Sequence, residues 1–283
     1  MSSLANPSPL VVIKVGGDVL LNDAQREGLA ANVVDLVGSG ARVVVLHGGG
    51  PQVTALQQRL GLKTKKVAGQ RVTSVDDLAV VVQAICGEVN VGLTCLLLRA
   101  GVRAFGLHGA SGGVVQARRR PPVRVAHEGE LVDYGEVGDV THIDAALILH
   151  LVDAKLVPVI ATLGVDPAAG RPLNINADTT AARLAQALHA DLLLLVTAVG
   201  GVFRSLGDPD SRIDTLTPTS ARQLIEAGVI QAGMIPKVEE ALSLLDTGVG
   251  RVAILDAAQR GAFSSAVNGD GERGTVFRSD SRL

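Results

Sequence analysis

The feature that most constrains this fold is a recurring apolar run of strand length. It occurs at Leu10–Val15, Arg42–Leu46, Val102–Leu107, Val157–Leu163, Asp191–Thr197 and Arg251–Leu255. Runs such as RVVVL at 42–46 and DLLLLVT at 191–197 are nearly continuous Val and Leu instead of alternating with polar residues. That is the signature of strands buried on both faces. Between the first two runs, Asp23–Val37 has helical apolar spacing (Leu29, Val33, Val34, Val37) and is closed by Gly38-Ser39-Gly40. A second helix restarts at Pro51, a good first-turn residue, and runs through Leu60. Strand, helix, strand, Gly-rich turn and helix are therefore in place by Leu60. The expected fold is α/β, with a doubly wound, largely parallel sheet.

The rest of the chain extends this plan. Residues 63–72 are polar and basic, with Gly69 inside, and read as a loop or a hairpin lid. Ser74 is placed to cap a long helix over Asp76–Arg99. A β-rich excursion follows from Gly112 to Val140, then a short helix over Ile143–Leu151. The turn Pro167–Pro172 divides the chain into lobes 1–170 and 171–283. The second lobe has helices over Thr179–Leu188, Thr219–Ala227 and Val238–Leu245. Residues 1–9 read as a disordered lead and 278–283 as a loose tail.

Composition narrows the function classes. The 283 residues are 47% hydrophobic but only 2% aromatic, with no Trp, so the core is aliphatic and base-stacking on aromatics is not available. The formal net charge of -2 gives no general pull towards nucleic acid or anionic membrane. Cys86 and Cys95 have no metal-ligand spacing and read as buried, inert thiols of a reducing cytoplasm. No signal peptide and no transmembrane helix is expected.

Lys14 breaks the first strand. A charge beside a buried run costs several kcal/mol, on the order of the desolvation penalty, unless an anion or hydrogen bonds receive it. Gly16 and Gly17 follow at once. On this stretch alone two readings stand: a strand-ending turn with a snorkelling lysine, or a phosphate site built from a point charge and bare backbone N–H groups. Lys237 is a second anomaly. It follows Pro236 in the first turn of a helix, where the macrodipole disfavours a cation by roughly 0.3–1 kcal/mol. An exposed, tolerated lysine and a lysine paired with a bound anion are both open there. Asp178 is either an ordinary helix cap or a carboxylate that holds the lysines in place. Asn174 and Asn176 alternate with Ile175 and share one face. Gly48-Gly49-Gly50 ahead of Pro51 forms an anion nest at a helix N-terminus. Neither a Walker motif nor a placed GxGxxG occurs. Arg71 is either a carboxylate clamp or a solvated charge. Arg118-Arg119-Arg120 reads as a solvated hairpin tip; His47 could line the site beside the triglycine, but a satisfied packing role is the favoured reading.

KVGG at 14–17, HGGGPQV at 47–53, GQRVTS at 69–74, NINADTTAA at 174–182 and GMIPKVEEAL at 233–242 together resemble the amino acid kinase family. The resemblance runs from about residue 10 to 275 and implies an α/β fold, a three-layer αβα sandwich around an open, mainly parallel sheet. It points to members that phosphorylate the γ-carboxylate of N-acetyl-L-glutamate with ATP and Mg2+, giving an acyl phosphate, in arginine biosynthesis. It implies that Lys14 and Lys237 stabilise the transferred phosphoryl group and that Asp178 orients them. Gly16 and Gly17 bind phosphate; Gly49, Gly50, Arg71 and Asn174 bind the amino acid. No protein metal ligand is implied. A cytoplasmic homodimer is expected, and the short, proline-bearing lead before Lys14 leads us to expect insensitivity to arginine.

The chain departs from the family pattern at two places. Thr197-Ala198-Val199 replaces a usual acidic residue, and His108–Gly113 replaces a usual Gly-Lys/Asp-Gly turn. One alternative substrate is a carrier-protein-bound α-aminoadipate of lysine biosynthesis, received by the basic stretches 63–71 and 118–120. An alternative of another class is a non-catalytic amino-acid sensor, suggested by Ala198.

Overall fold

The computed structural model describes residues 8–125, 131–205, 208–230, 234–246 and 248–280. Most of the expected lead, and the last three residues of the tail, lie outside them. In chain order, β1 is Leu10–Val15, α1 Asp23–Gly38, β2 Arg42–His47 and α2 Gly50–Arg59. A small hairpin, β3 (Lys66–Val67) and β4 (Gln70–Arg71), precedes one long helical stretch. That stretch divides into α3 (Val75–Val81), a π-helical segment at Val82–Val89, and α4 (Asn90–Arg99). Then come β5 (Ala104–His108), β6 (Val115–Arg119), β7 (Val123–Arg124), β8 (Leu131–Val132) and β9 (Val137–Ile143). α5 is Ala145–Asp153, β10 Val157–Ala161, β11 Leu163–Asp166 and β12 Arg171–Ile175. The C-terminal part has α6 (Ala177–Ala187), β13 (Leu192–Val196), β14 (Thr215–Leu216), α7 (Pro218–Glu226), α8 (Ile235–Asp246), β15 (Val252–Leu255), α9 (Ala262–Asn268) and β16 (Gly274–Phe277).

The main sheet runs β14-β16-β15-β13-β1-β2-β10-β5. From β15 to β5 every pairing is parallel, and β16 is antiparallel to β15. Alternation along β1 separates two cores. Leu10 and Val12 pack with Ile148 and Val152 of α5, Ala181 and Leu184 of α6, Ala221 of α7 and Val238 of α8. Val11, Ile13 and Val15 pack with Leu29 and Val33 of α1, Leu93 and Leu97 of α4 and Phe263 of α9. The αβα sandwich therefore follows from strands that are apolar on both faces. Buried Asn32 ties α1 to the α9 end. Its amide donates to the carbonyls of Ala257 and Gln259, and its oxygen accepts from Phe263 N.

β1 is the topological switch point. The chain leaves it on one side through β2 and returns on the other through β13. Ligands of open α/β sheets bind at such a point, outside the carboxyl ends of the strands. A four-stranded barrel, β11-β12-β9-β6, is formed by the excursion expected at 112–140 together with the next hairpin. The turn at 167–170 joins β11 to β12 inside this barrel.

Two local readings change. The long helix is interrupted by the π segment, which delivers buried Asn90, the next residue, to the carbonyls of Leu107 and Val159. Cys95 is exposed, because it faces outward on α4; Cys86 is half-buried, and burial pushes its thiol up to about 11. Val75–Arg99 is 25 residues long and contains an 18-residue window of mean hydropathy 1.8, long and apolar enough to cross a membrane. Half of that window is buried against the fold, the packing of a core helix.

Candidate active site

The pleat of β1 puts Lys14 on the same face as Leu10 and Val12, towards α6. Its side chain is 14% exposed, and its Nζ lies 2.5 Å from Asp178 Oδ1. The snorkelling reading fails on this contact. So does the capping reading of Asp178. The cap of α6 is Asn176, whose side chain accepts from Thr179 N at 2.8 Å. Asp178 is the second residue of the helix, in its first turn, and faces the lysine.

The glycine turns after β1 and β2 pack on each other. Gly48 N donates to Val15 O at 3.1 Å, and the Gln52 amide donates to Gly17 O at 2.7 Å. A Cβ on Gly17 would lie 2.7 Å from Gln52 Oε1, 2.8 Å from Pro51 Cδ and 3.0 Å from Gly49 Cα. Only glycine lets the two turns approach this closely. Gly49 is the N-cap of α2, and Gly50 its first residue. Gly16 is less constrained, because its near neighbour is the movable Asp18 carboxylate.

The turn after β2, Gly48–Gly50, borders a cavity of about 220 Å³, lined also by Arg71, Asn174, Thr162 and Asp178. Arg71 is wired to α2. Its Nη2 donates to Gly50 O at 3.1 Å and Thr54 Oγ1 at 2.8 Å, and its Nη1 donates to Gln57 Oε1. Gln57 is fully buried and in turn donates to Asp77 Oδ1. Burial lowers the Arg71 guanidinium from its ordinary value, and the Asp77 charge opposes the drop. Asp77 stays below the usual carboxylate range: burial pushes it up, but hydrogen bonds from Ser74 and Gln57 and the Arg71 charge outweigh this. Asn174, at the β11–β12–β9 junction, donates to Thr73 Oγ1 at 2.9 Å. Both side chains line the same cavity.

His47 behaves as the packing residue expected. It is buried between Gly48 O, 2.9 Å from Nδ1, and Asn90 Nδ2, 2.9 Å from Nε2. With Asn90 donating to Nε2, the proton belongs on Nδ1. Burial lowers this imidazole to about 4, against the opposing pull of the Gly48 carbonyl.

Lys237 and Glu240 lie three residues apart on α8 and share one helical face. Glu240, Asp178, Thr179 and Arg183 line a second cavity of about 530 Å³ between α6 and α8. Burial, then the Asp178 charge, raises the Glu240 carboxyl, while Lys14 and Lys237 oppose the rise. Lys14, Asp178, Lys237 and Glu240 therefore form one electrostatic cluster. Asp178 pairs directly with Lys14, and Lys237 enters the cluster beside Glu240.

Sequence reasoning missed Gln57, Glu240 and Arg120. Gln57 and Glu240 look like ordinary helix-surface residues, and only the tertiary fold turns them inward. Arg120 is not part of a solvated tip: it lines the first cavity, pairs with Asp139 and stands over the Tyr134 ring. Arg119 pairs with Asp133. Arg71, Arg119 and Arg120 are thus engaged within the protein, while Lys63, Lys65, Lys66 and Arg118 of the same basic stretches are exposed.

With this geometry in place, the sequence model of the amino acid kinase family matches residues 9–256. The chain belongs to the amino acid kinase family. It is similar to the acetylglutamate kinase of Anaeromyxobacter sp. (strain Fw109-5), with 46% identity over 94% of this chain and 98% of that one. It is also 45% identical to the acetylglutamate kinase of Sorangium cellulosum (strain So ce56), over 94% of each. Among solved structures, smu.665 of Streptococcus mutans UA159 has a TM-score of 0.73 at 32% identity, covering 96% of this chain and 99% of that one. As an amino acid kinase family member the chain is a kinase, and the charge cluster at the carboxyl end of β1 lies where this fold class receives anionic ligands.

Proposed function

We propose that this chain transfers the γ-phosphoryl group of ATP to the γ-carboxylate of N-acetyl-L-glutamate, giving N-acetyl-L-glutamyl 5-phosphate and ADP. The observation that carries the reading is the Lys14–Asp178 pair, whose aspartate lines a cavity that Arg71 and Asn174 also line. The near-full-length likeness to acetylglutamate kinases supports it. A carboxylate oxygen attacks the γ-phosphorus in line. The new O–P bond forms as the bond to the β-phosphate oxygen breaks, and that electron pair leaves on ADP. The nucleophile is already ionised, so no protein base is needed. Catalysis is then positioning plus neutralisation of charge.

In this reading Lys14 and Lys237 stabilise the transferred group, and Asp178 fixes Lys14. Gly16, Gly17 and the Gly48–Gly50 turn offer backbone N–H groups to phosphate. Gly49 and Gly50 border the amino acid, and Arg71 and Asn174 hold its carboxylates. Among the described residues no group of three or more His, Cys, Asp or Glu side chains is placed to hold a metal ion. Mg2+ would therefore come bound to the nucleotide's phosphates, where it supplies charge neutralisation.

The two-lobe division is part of the proposal. The amino acid lies in the lobe that runs through the barrel, and the nucleotide lies over the second lobe. The division is expected at 1–170 and 171–283, and the pairing of β12 with β9 and β11 supports drawing it a few residues later, after Ile175. A homodimer is supported by exposed Val91 and Leu98 on α4 and by Phe105 on edge strand β5. A cytoplasmic location is supported by the free thiols of Cys86 and Cys95.

Trapping of the acyl phosphate with hydroxylamine tests the reaction. Hydroxamate should form with N-acetyl-L-glutamate at a rate far above that with free glutamate or carrier-linked α-aminoadipate. Preference for either of the latter would overturn the substrate assignment. Absence of MgATP-dependent turnover with all three would favour a sensor.

A further inference from the structure

The β3–β4 hairpin carries Lys66, Gly69, Gln70 and Arg71 into the wall of the first cavity. It has two residues per strand, too short to hold its own shape. Something outside it must fix it. Tyr134 Oη donates to Val67 O at 3.3 Å, and Arg120 Nη1 donates to Gln70 Oε1. Arg120 is itself firmly held. Its Nε and Nη2 donate to Asp139 Oδ1 at 2.9 and 2.5 Å, and its guanidinium carbon lies 5.7 Å from the Tyr134 ring centroid. Its backbone N donates to Val137 O at 2.8 Å. Pro121 follows and restricts Arg120 to extended backbone. The guanidinium thus spans from barrel strand β9 to hairpin strand β4, across the substrate cavity's rim.

We propose that Arg120 is a specificity-determining positioning residue, a bridge from the barrel that fixes the hairpin, through Gln70, over the amino-acid substrate. The inference rests on the acetylglutamate kinase reading and deepens it. A planar fork suits the task, because one side chain must bond a carboxylate and an amide oxygen in fixed directions while lying against a ring. Lysine offers a point charge and cannot reproduce all three contacts. Loosening the bridge acts on the wall that carries Arg71 and leaves the α6–α8 side untouched. Its effect therefore falls on binding of the amino acid and spares the nucleotide.

The test compares Arg120→Ala, Arg120→Lys, Gln70→Ala and the Arg120→Ala/Gln70→Ala double variant with the full-length wild type in the hydroxamate assay. Arg120→Ala should raise KM for N-acetyl-L-glutamate by about tenfold, the size of one charge-assisted hydrogen bond. Its KM for ATP and kcat should stay within about twofold on the same scale. Gln70→Ala, whose side chain is exposed and whose loss does not disturb the barrel, should move KM in the same direction. The double variant should be no worse than Arg120→Ala, and Arg120→Lys should fall between wild type and Ala. Amide hydrogen exchange at residues 66–71 should speed up in Arg120→Ala and in Gln70→Ala, with β6 and β9 unchanged.

An unchanged KM in Arg120→Ala, or a wild-type-like Gln70→Ala beside an impaired Arg120→Ala, contradicts the bridge. Multiplying effects in the double variant contradict it too. If the wild type does not turn over N-acetyl-L-glutamate, the activity falls and the bridge with it. If the wild type is active and the variants do not change KM, only the bridge falls.

Discussion

The two sides of the cleft are built differently. On the amino-terminal side, Arg71, Gln57, Thr54, Thr73, Asn174 and Arg120 are linked to one another or to backbone by hydrogen bonds. On the side where the end of β1 meets α6 and α8, Lys14, Asp178, Lys237 and Glu240 interact mainly as charges, with one close contact between Lys14 and Asp178. A hydrogen-bonded wall fixes shape, and a charge cluster responds to whatever charge arrives. The first suits recognition of a small polar acid, and the second suits a phosphoryl group whose charge redistributes during transfer.

This contrast is broken most directly by moving the kinetic effect from one side to the other. Asp178→Asn removes the partner that holds Lys14, and kcat should fall by roughly 10²–10³, as for loss of one preorganised electrostatic group. Its KM for N-acetyl-L-glutamate should change little. Arg71→Ala should do the reverse, raising that KM by about 10² through loss of a bidentate donor, with a smaller effect on kcat. If both variants act mainly on kcat, or both on KM, the division is wrong. Steady-state kinetics with each substrate varied separately checks both.

His47 gives a stability test on the same frame, since it sits beneath the glycine turn. Its folded pKa of about 4 lies below the unfolded value of 6.5. Its stabilising contribution is therefore complete above pH 6.5 and is lost as pH falls through 4. The full contribution is about 3 kcal/mol, from a shift of that size. Urea unfolding between pH 7 and pH 4 should show this loss in the wild type, and His47→Asn should show a flatter profile. The smallest effect is expected at Glu240. Burial and Asp178 raise its carboxyl. Any stability it contributes is present below its unfolded pKa and is lost as pH rises through the folded one. Glu240→Gln should therefore equal or exceed wild-type stability at pH 8, with kcat changed only a few-fold.

Much of the frame was legible because it is local. Continuous Val and Leu runs located the parallel strands, and the Lys14-Val15-Gly16-Gly17 stretch stood out because a charge had no local reason to be there. Ser74 and Asn176 lie where cap chemistry puts them, although Asn176, and not Asp178, does the capping. What was not legible depends on contacts distant in sequence. Three arginines before two prolines look solvated until Asp139, Gln70 and Tyr134 are brought around Arg120. The helix pattern over 76–99 carries no sign of the π segment, whose consequence is Asn90 reaching His47 and two strand carbonyls. Cys95 lies in an apolar stretch, yet it faces outward on a helix whose other face is the buried one.

The central claim is that the paired Lys14 acts on the charge of the phosphoryl group in flight and not on substrate capture. Lys14→Ala tests it most directly, with kcat measured by hydroxamate formation and the dissociation constant of N-acetyl-L-glutamate measured by calorimetry on the same preparation. The account predicts a fall in kcat of about 10³ or more, with the dissociation constant within about fivefold of wild type. A variant that keeps its kcat, or that loses activity only because the amino acid no longer binds, would contradict it.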